Sequence, residues 1–337
     1  MIKQNENMPK VSIIIPVYGV EKYIERCARS LFEQTLDDIE YLFIDDCTPD
    51  KSVEILKRVL EEYPHRKSQV VIHRMEQNSG QAKVREWGMR NATGEYVIHC
   101  DSDDWVDIHM YEEMYDKAVE ENADVVVCDF ALHDGKRINK IVHACGSLNH
   151  QEFLQRILFQ RDPWSLCNKL FKREVCYKDL IYPKGNMGED MLFCIQMLLP
   201  CNHIAYIPKA YYFYYKNSES ISNKREKANH LRNFEYLKAN TDLLIEILKK
   251  KKLRNLKWVI NGLEYNATLP LQNLIHSDKK YRTLWFNTYP NAIWTYVINP
   301  YFDIKKRFKC LLAILGFYPF KKLSLIHISE PTRHAQI

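Results

Sequence analysis

Hydrophobic and polar positions along the first part of the chain fall into short blocks of two kinds. Residues 11–17 (Val-Ser-Ile-Ile-Ile-Pro-Val) form a continuous, largely β-branched run that predicts a buried strand of the parallel type, ended by a loop. The pattern then predicts an amphipathic helix over about 21–33, a strand over 39–44 ending at Asp45-Asp46, and a helix over roughly 52–62. A strand over 70–73, a helix over about 81–91, a strand over 96–100, a helix near 108–122 and a strand over 124–130 follow. Strands alternating with helices of ten or more residues read as βαβ units, hence a mostly parallel sheet.

The pattern changes after residue 130. Asp134-Gly135 between two apolar runs signals a hairpin. A helix near 151–159, an irregular stretch to about Asn186, a helix from Glu189 and a strand over 204–215 complete this part. Beyond Asn223 the text is helical, and no internal repeat is present.

With 337 residues, 46% of them hydrophobic and 12% aromatic, the chain can bury a large core and an appendage. The ten cysteines contain no Cys-x-x-Cys pair and mostly sit in apolar runs, so buried free thiols are expected rather than disulfides or zinc. His143 and Cys145 look like half a metal site but have no second pair nearby, so a structural role is expected. The polar start and the lack of any apolar run of ~20 residues point to a cytoplasmic protein. Charge is unevenly spread. Residues 1–223 hold 27 Lys and Arg against 35 Asp and Glu, whereas residues 224–322 hold 20 against 7. An acidic body with a basic appendage is a two-part protein whose parts meet different partners.

The chemistry concentrates after the strand over 96–100, which delivers Asp101, Asp103 and Asp104 to its carboxyl end. In an open α/β sheet that end faces the ligand crevice. Gathered carboxylates repel one another unless a cation joins them, and oxygen ligands suit Mg2+ or Mn2+, which in turn hold phosphate oxygens. Taken alone, the segment reads equally well as a solvated acidic turn, or as charge placed to suit the dipole of a helix starting near Asp107. Asp45-Asp46 can converge on the same crevice, where a helix opening near Gly80 would offer N–H groups to an anion. No Gly-x-Gly-x-x-Gly follows the first strand, which argues against a dinucleotide dehydrogenase, and no Gly-Lys-Ser/Thr loop marks an ordinary ATPase. What remains is an α/β site with carboxylates, a divalent metal and room for a nucleotide diphosphate.

At about residues 9–222 the chain resembles the inverting, metal-dependent glycosyltransferases of family 2, which have the A-type nucleotide-sugar fold. The resemblance rests on residues 11–18, on Ile44 to Asp50, on Arg85 with Gly88, and on Gly94-Glu95-Tyr96 leading into Asp101-Ser102-Asp103-Asp104. Gly188-Glu189-Asp190 and Ser220-Ile221-Ser222 close the set. It implies a Rossmann-like, mixed but mostly parallel sheet flanked by helices, with a helical C-terminal appendage. It further implies that Pro16, Val17 and Tyr18 border the nucleotide base, with Tyr18 stacking on it, and that Asp46 accepts a hydrogen bond from the base near Arg85. Asp101 and Asp103, with Ser102 between them, would engage the ribose and the metal that bridges the diphosphate. Asp190 would be the general base and Glu189 would position the acceptor; the bland alternative is a helix N-terminal acid pair. Asn168 and Lys169 match a segment bordering the acceptor, and Lys216 stands near an arginine that reaches the diphosphate in relatives, although a surface lysine fits as well.

The implied reaction is an in-line displacement at the anomeric carbon, from a UDP-sugar in most of the family, onto a hydroxyl of a glycan or lipid-linked acceptor in surface polysaccharide synthesis. Nucleic acid is not an expected partner. The chain departs from the family at Cys47-Thr48-Pro49, where Gly-Ser-Thr is usual, and at Gly19 and Glu86, where Asn is usual. These changes leave base selectivity open while the first loop stays a tight turn. A sugar nucleotidyltransferase would want a Gly-rich basic loop after the first strand, which residues 17–21 lack. An inactive nucleotide-sugar-binding module is the other alternative, and the joint presence of Asp46, Asp103 and Asp190 argues against it.

The expected division is a catalytic domain over 1–222 and a basic helical region over 223–322. Within the latter, Lys305, Lys306, Arg307 and Lys309 precede the apolar run 310–317, and Lys321-Lys322 follow it. That run suits either a helix lying in the headgroup region of an anionic membrane or a last helix packed on the body. Residues 323–333 read as the direct translation of a common transposase sequencing adapter, so 323–337 is excluded from fold reasoning.

Overall fold

The computed structural model describes residues 8–147, 149–216, 227–272, 274–275 and 278–316. The chain divides into two units, one of residues 1–156, 162–182 and 193–217, the other of residues 157–161, 183–192 and 218–337.

The first unit is built on a nine-stranded sheet. Its elements are β1 (Val11–Val17), α1 (Ile24–Phe32), β2 (Ile39–Asp45), α2 (Ser52–Glu61), a 3₁₀ turn (Pro64–Gln69), β3 (Val70–Arg74), α3 (Gln81–Asn91), β4 (Tyr96–His99), β5 (Trp105–Val106), α4 (Met110–Glu120), β6 (Val125–His133) and β7 (Ile138–Val142). There follow α5 (His150–Leu158), β8 (Lys169–Lys172), α6 (Arg173–Cys176), α7 (Glu189–Leu198, which runs in from the second unit) and β9 (Ile204–Tyr215). The strand order is β3-β2-β1-β4-β8-β6-β9-β5, with β7 beside β6.

The β-branched run of β1 lies between two parallel neighbours, and Val11, Ile13, Ile14 and Ile15 have no solvent exposure. This is why β1 shows no polar alternation. The register pairs Val17 with Asp45 and Ile14 with His99. The loops after β1, β2 and β4 therefore leave one edge together, bringing Tyr18, Asp46 and Asp101 to the same side. Gly94 fits the close approach of the turn before β4 to β1, because a Cβ there would lie 2.6 Å from the Ser12 backbone nitrogen.

One stretch departs from expectation. The segment read as irregular contains β8, which is antiparallel to both β4 and β6 and joins the two halves of the sheet. Its four residues, with Lys169 at the start, carry too little apolar pattern to announce a strand; pairing on both sides makes it one. The hairpin forms as expected between β6 and β7, with Gly135 at φ +91°. All ten cysteines are free thiols, nine of them buried. His143 serves structure, its Nδ1 lying 2.7 Å from Oδ2 of buried Asp129.

The second unit carries α8 (Lys227–Lys249), α9 (Leu256–Ala267), α10 (Leu269–Gln272), α11 (Lys279–Thr288), α12 (Ala292–Ile298) and α13 (Ile304–Ile314). Its core is aromatic. Tyr265 stacks on Tyr296 at 3.7 Å, and the fully buried Trp285 donates its indole N–H to Thr268 Oγ1 at 3.0 Å. No described helix is long and apolar enough to cross a membrane. The adapter-like residues 323–337, Lys321-Lys322 and Ser220-Ile221-Ser222 lie outside the described residues.

Candidate active site

The loop after β4 is held from several sides. Cys100 N–H donates to the Ile14 carbonyl (3.0 Å), and a turn is closed by Asp104 N–H on the Asp101 carbonyl (3.1 Å). Ser102 Oγ donates to the Pro16 carbonyl at 2.6 Å, which ties the loop to the end of β1. From α1, Arg26 donates to the Asp103 carbonyl at 2.9 Å, its guanidinium lying 3.6 Å above the Trp105 ring centroid. The three carboxylates then separate in role. Asp104 is buried and turns to β9, accepting from the Tyr212 hydroxyl and from the Tyr215 N–H at 2.6 Å. It is a structural anchor, not a ligand.

Asp101 and Asp103 are the half-exposed pair of the cluster. Asp101 Oδ1 accepts from buried Arg85 (2.9 Å) and from Gln81 Nε2 (3.1 Å), both on α3. Burial, and then the charge of Asp101, push the Asp103 carboxyl up to about 7. An Asp103 carboxyl disfavoured as an anion so close to a second carboxylate group fits a hard divalent cation. Among the described residues no group of three or more His, Cys, Asp or Glu is gathered to hold an ion. A Mg2+-type ion, which binds through one or two carboxylates and completes its shell with ligand oxygens, matches this donor set.

The residues expected to border the base differ in how far the fold exposes them. Tyr18 is exposed at the end of β1 and Pro16 is half-buried. Val17 is 1% exposed and packs in the core, so only its backbone is available; that carbonyl accepts the Asp46 N–H at 3.0 Å. Buried Asp46 accepts from the N–H groups of Ser79 (2.7 Å) and Gly80 (2.8 Å), clamping the start of α3. The departure at Cys47-Thr48-Pro49 keeps a tight turn, with Cys47 at φ +57°. Thr48 Oγ1 accepts the Gly19 N–H at 2.8 Å, and Asp50 Oδ2 accepts the Glu21 N–H at 2.9 Å, which staples the first loop to the second. The side chains of Ser102 and Val17 are thus turned into the protein.

On the expected acceptor side the structure corrects the reading. Asn168 and Lys169 are wholly buried. Lys169 Nζ donates to the carbonyls of Pro163 (2.9 Å) and Ser165 (2.8 Å) and to Asn168 Oδ1 (3.2 Å), while Asn168 Nδ2 donates to the Cys128 carbonyl (2.7 Å). Both pin the 163–168 turn, and neither presents a group to a ligand. Lys216 is exposed just past β9, its N–H on the His133 carbonyl at 2.8 Å.

Glu189 and Asp190 open α7 in the part of it that belongs to the second unit. Glu189 is buried and Asp190 half-buried, and Gly188 before them has φ +78°. The preceding loop is fastened to α8 by wholly buried Asn240. Its Nδ2 donates to the carbonyls of Gly185 (3.0 Å) and Met187 (2.9 Å), and its Oδ1 accepts the Lys184 N–H (2.8 Å). Sequence reasoning missed Asn240, Arg26, Tyr212 and Gln81. Only Gln81 carried a signal, standing four residues before Arg85 and hence on the same face of a helix.

Residues 12–178 match the Glycosyl transferase family 2 profile. An uncharacterized glycosyltransferase of Bacillus subtilis, EpsJ, is 30% identical over 224 residues, 64% of this chain and 63% of that protein. Glycosyltransferase GlyA of Streptococcus pneumoniae is 28% identical over 224 residues, 63% of this chain and 31% of that protein. The chain therefore spans less than two thirds of either relative. In fold, it is similar to the crystal structure of S. aureus TarS residues 1–349 in complex with UDP-GlcNAc, at TM-score 0.70 and 20% identity, over 91% of this chain and 87% of that one. That likeness establishes the A-type glycosyltransferase architecture of the sheet and its flanking helices. Through residues 12–178 the chain belongs to glycosyl transferase family 2.

Proposed function

We propose that this chain transfers a sugar from a nucleotide-diphosphate donor, of the UDP-sugar kind that TarS binds, to a hydroxyl of a glycan or lipid-linked acceptor, with inversion at the anomeric carbon. The observation that carries the reading is the pair Asp101 and Asp103 at the carboxyl end of β4, beside Arg85 and Gln81, while Asp104 is spent on β9. Asp101 and Asp103 would hold a divalent cation. When bound, such an ion offsets the charge that grows on the departing diphosphate.

The protein's own groups do the rest. Tyr18, exposed at the strand end, offers a face to the base. Asp46 orders the start of α3, keeping Gln81 and Arg85 directed at Asp101. Asp190 takes the proton from the acceptor hydroxyl as the new bond forms, and Glu189 positions the acceptor. The test is binding of UDP by thermal shift with and without Mn2+, in wild type and in Asp103→Asn. A metal-dependent rise in Tm that disappears in the folded variant is expected, because a ligand that binds only the native state stabilises by mass action. An equal UDP response in both proteins overturns the assignment.

A further inference from the structure

α13 is apolar on two opposite faces. Cys310, Ala313 and Ile314 are buried against the rest of the second unit. Ile304, Phe308 and Leu315 are 73%, 57% and 58% exposed, and Leu311 is half-exposed between them. Spacings of four, three and four residues make one continuous stripe on the side opposite the buried one. Lys305 and Lys309 occupy positions between the two faces, whereas Lys306 falls on the buried arc and Arg307 at its edge. The neighbouring α12, joined to α13 by Arg307 Nε donating to the Val297 carbonyl at 2.8 Å, contains no charged residue and exposes Trp294 and Ile298 one turn apart.

Among the described residues, five of fourteen large exposed hydrophobics fall between Trp294 and Leu315. Single exposed apolar residues need no explanation, but a stripe of them marks a surface that something covers. Charge decides what covers it. After Asp303, whose carboxylate caps α13 by accepting from Lys305 N–H at 2.8 Å, no acidic residue occurs through Lys322. A second copy would set one uniformly cationic segment against another, whereas an anionic surface is attracted to it. We infer that the outer face of α13, with Trp294 and Ile298 of α12, docks on an anionic lipid surface, the apolar stripe entering the headgroup boundary and the lysines meeting lipid phosphates. With 11 residues the helix is too short to cross a bilayer, so it lies along it.

Flotation of the whole chain tests this with two vesicle compositions: phosphatidylcholine alone, and phosphatidylcholine with about one third phosphatidylglycerol. The chain is expected to float with the anionic vesicles only, and less so at high salt. The exposed-face variant Ile304→Gln/Phe308→Gln/Leu315→Gln, and separately Lys305→Glu/Lys309→Glu, should each bind at least about tenfold more weakly. Their Tm and their response to UDP should match wild type, so a failure of the proposed enzymatic role is read separately from a failure here. Absence of wild-type flotation overturns the inference. So does equal flotation of the exposed-face variant, or a wild-type dimer in solution that the same variant dissociates.

Discussion

Three neighbouring aspartates show how differently one residue type is used within four positions. Asp104 is spent on a tyrosine hydroxyl and a backbone N–H, Asp101 on an arginine and a glutamine, and Asp103 keeps a carboxyl that burial and Asp101 make reluctant to ionise. The acceptor-side carboxylate tests the proposed chemistry independently of the metal pair. Asp190→Asn preserves shape and removes the proton acceptor, so kcat should fall about 10²–10⁴-fold with UDP affinity nearly unchanged. Single-turnover transfer beside UDP titration measures both quantities. Transfer within tenfold of wild type would assign Asp190 to structure alone.

At the scale of elements, the site depends on how closely α3 and the turn before β4 approach β1. Gly94 donates its N–H to Ser12 Oγ at 2.8 Å, and a Cβ at this position would meet the Ser12 nitrogen at 2.6 Å and that oxygen at 2.7 Å. The obstacle is strand backbone, which cannot move as a side chain tip can. Gly94→Ala should therefore cost about 1–3 kcal/mol, as overpacking does, read as a lower urea midpoint. An unchanged midpoint would mean that β1 and β4 slide apart without penalty. The glycine was visible in the sequence as part of a motif; its steric reason was not, because Ser12 lies 82 residues away.

For the whole molecule, the division is not a cut at residue 222. Residues 183–192, with Glu189 and Asp190, belong to the same unit as α8, and Asn240 on α8 satisfies three backbone groups of the 184–187 loop. Asn240 is a positioning residue for the segment that precedes Asp190. Asn240→Ala should destabilise the protein by about 1–3 kcal/mol through the buried groups left unpaired. It should also lower kcat while the UDP-induced rise in Tm stays as in wild type. A drop in both UDP response and kcat would instead mean general loss of the fold, and an unchanged kcat would remove the positioning role.

Local pattern was enough for the alternation of strands and helices, the parallel character of β1 to β4, the acidic loop and the hairpin at Gly135. Each of these is written in a window no longer than the element itself, where side-chain period and turn chemistry act directly. Tertiary structure alone decided the rest. It made a strand of 169–172 by pairing it on both sides, sent Asp104 inward and left Asp101 and Asp103 only part-buried, buried Asn168 and Lys169, and joined 183–192 to helices some fifty residues further on. The physical reason is common to all four. Whether a polar side chain faces a ligand or a backbone carbonyl depends on partners distant in sequence, and no local periodicity records them.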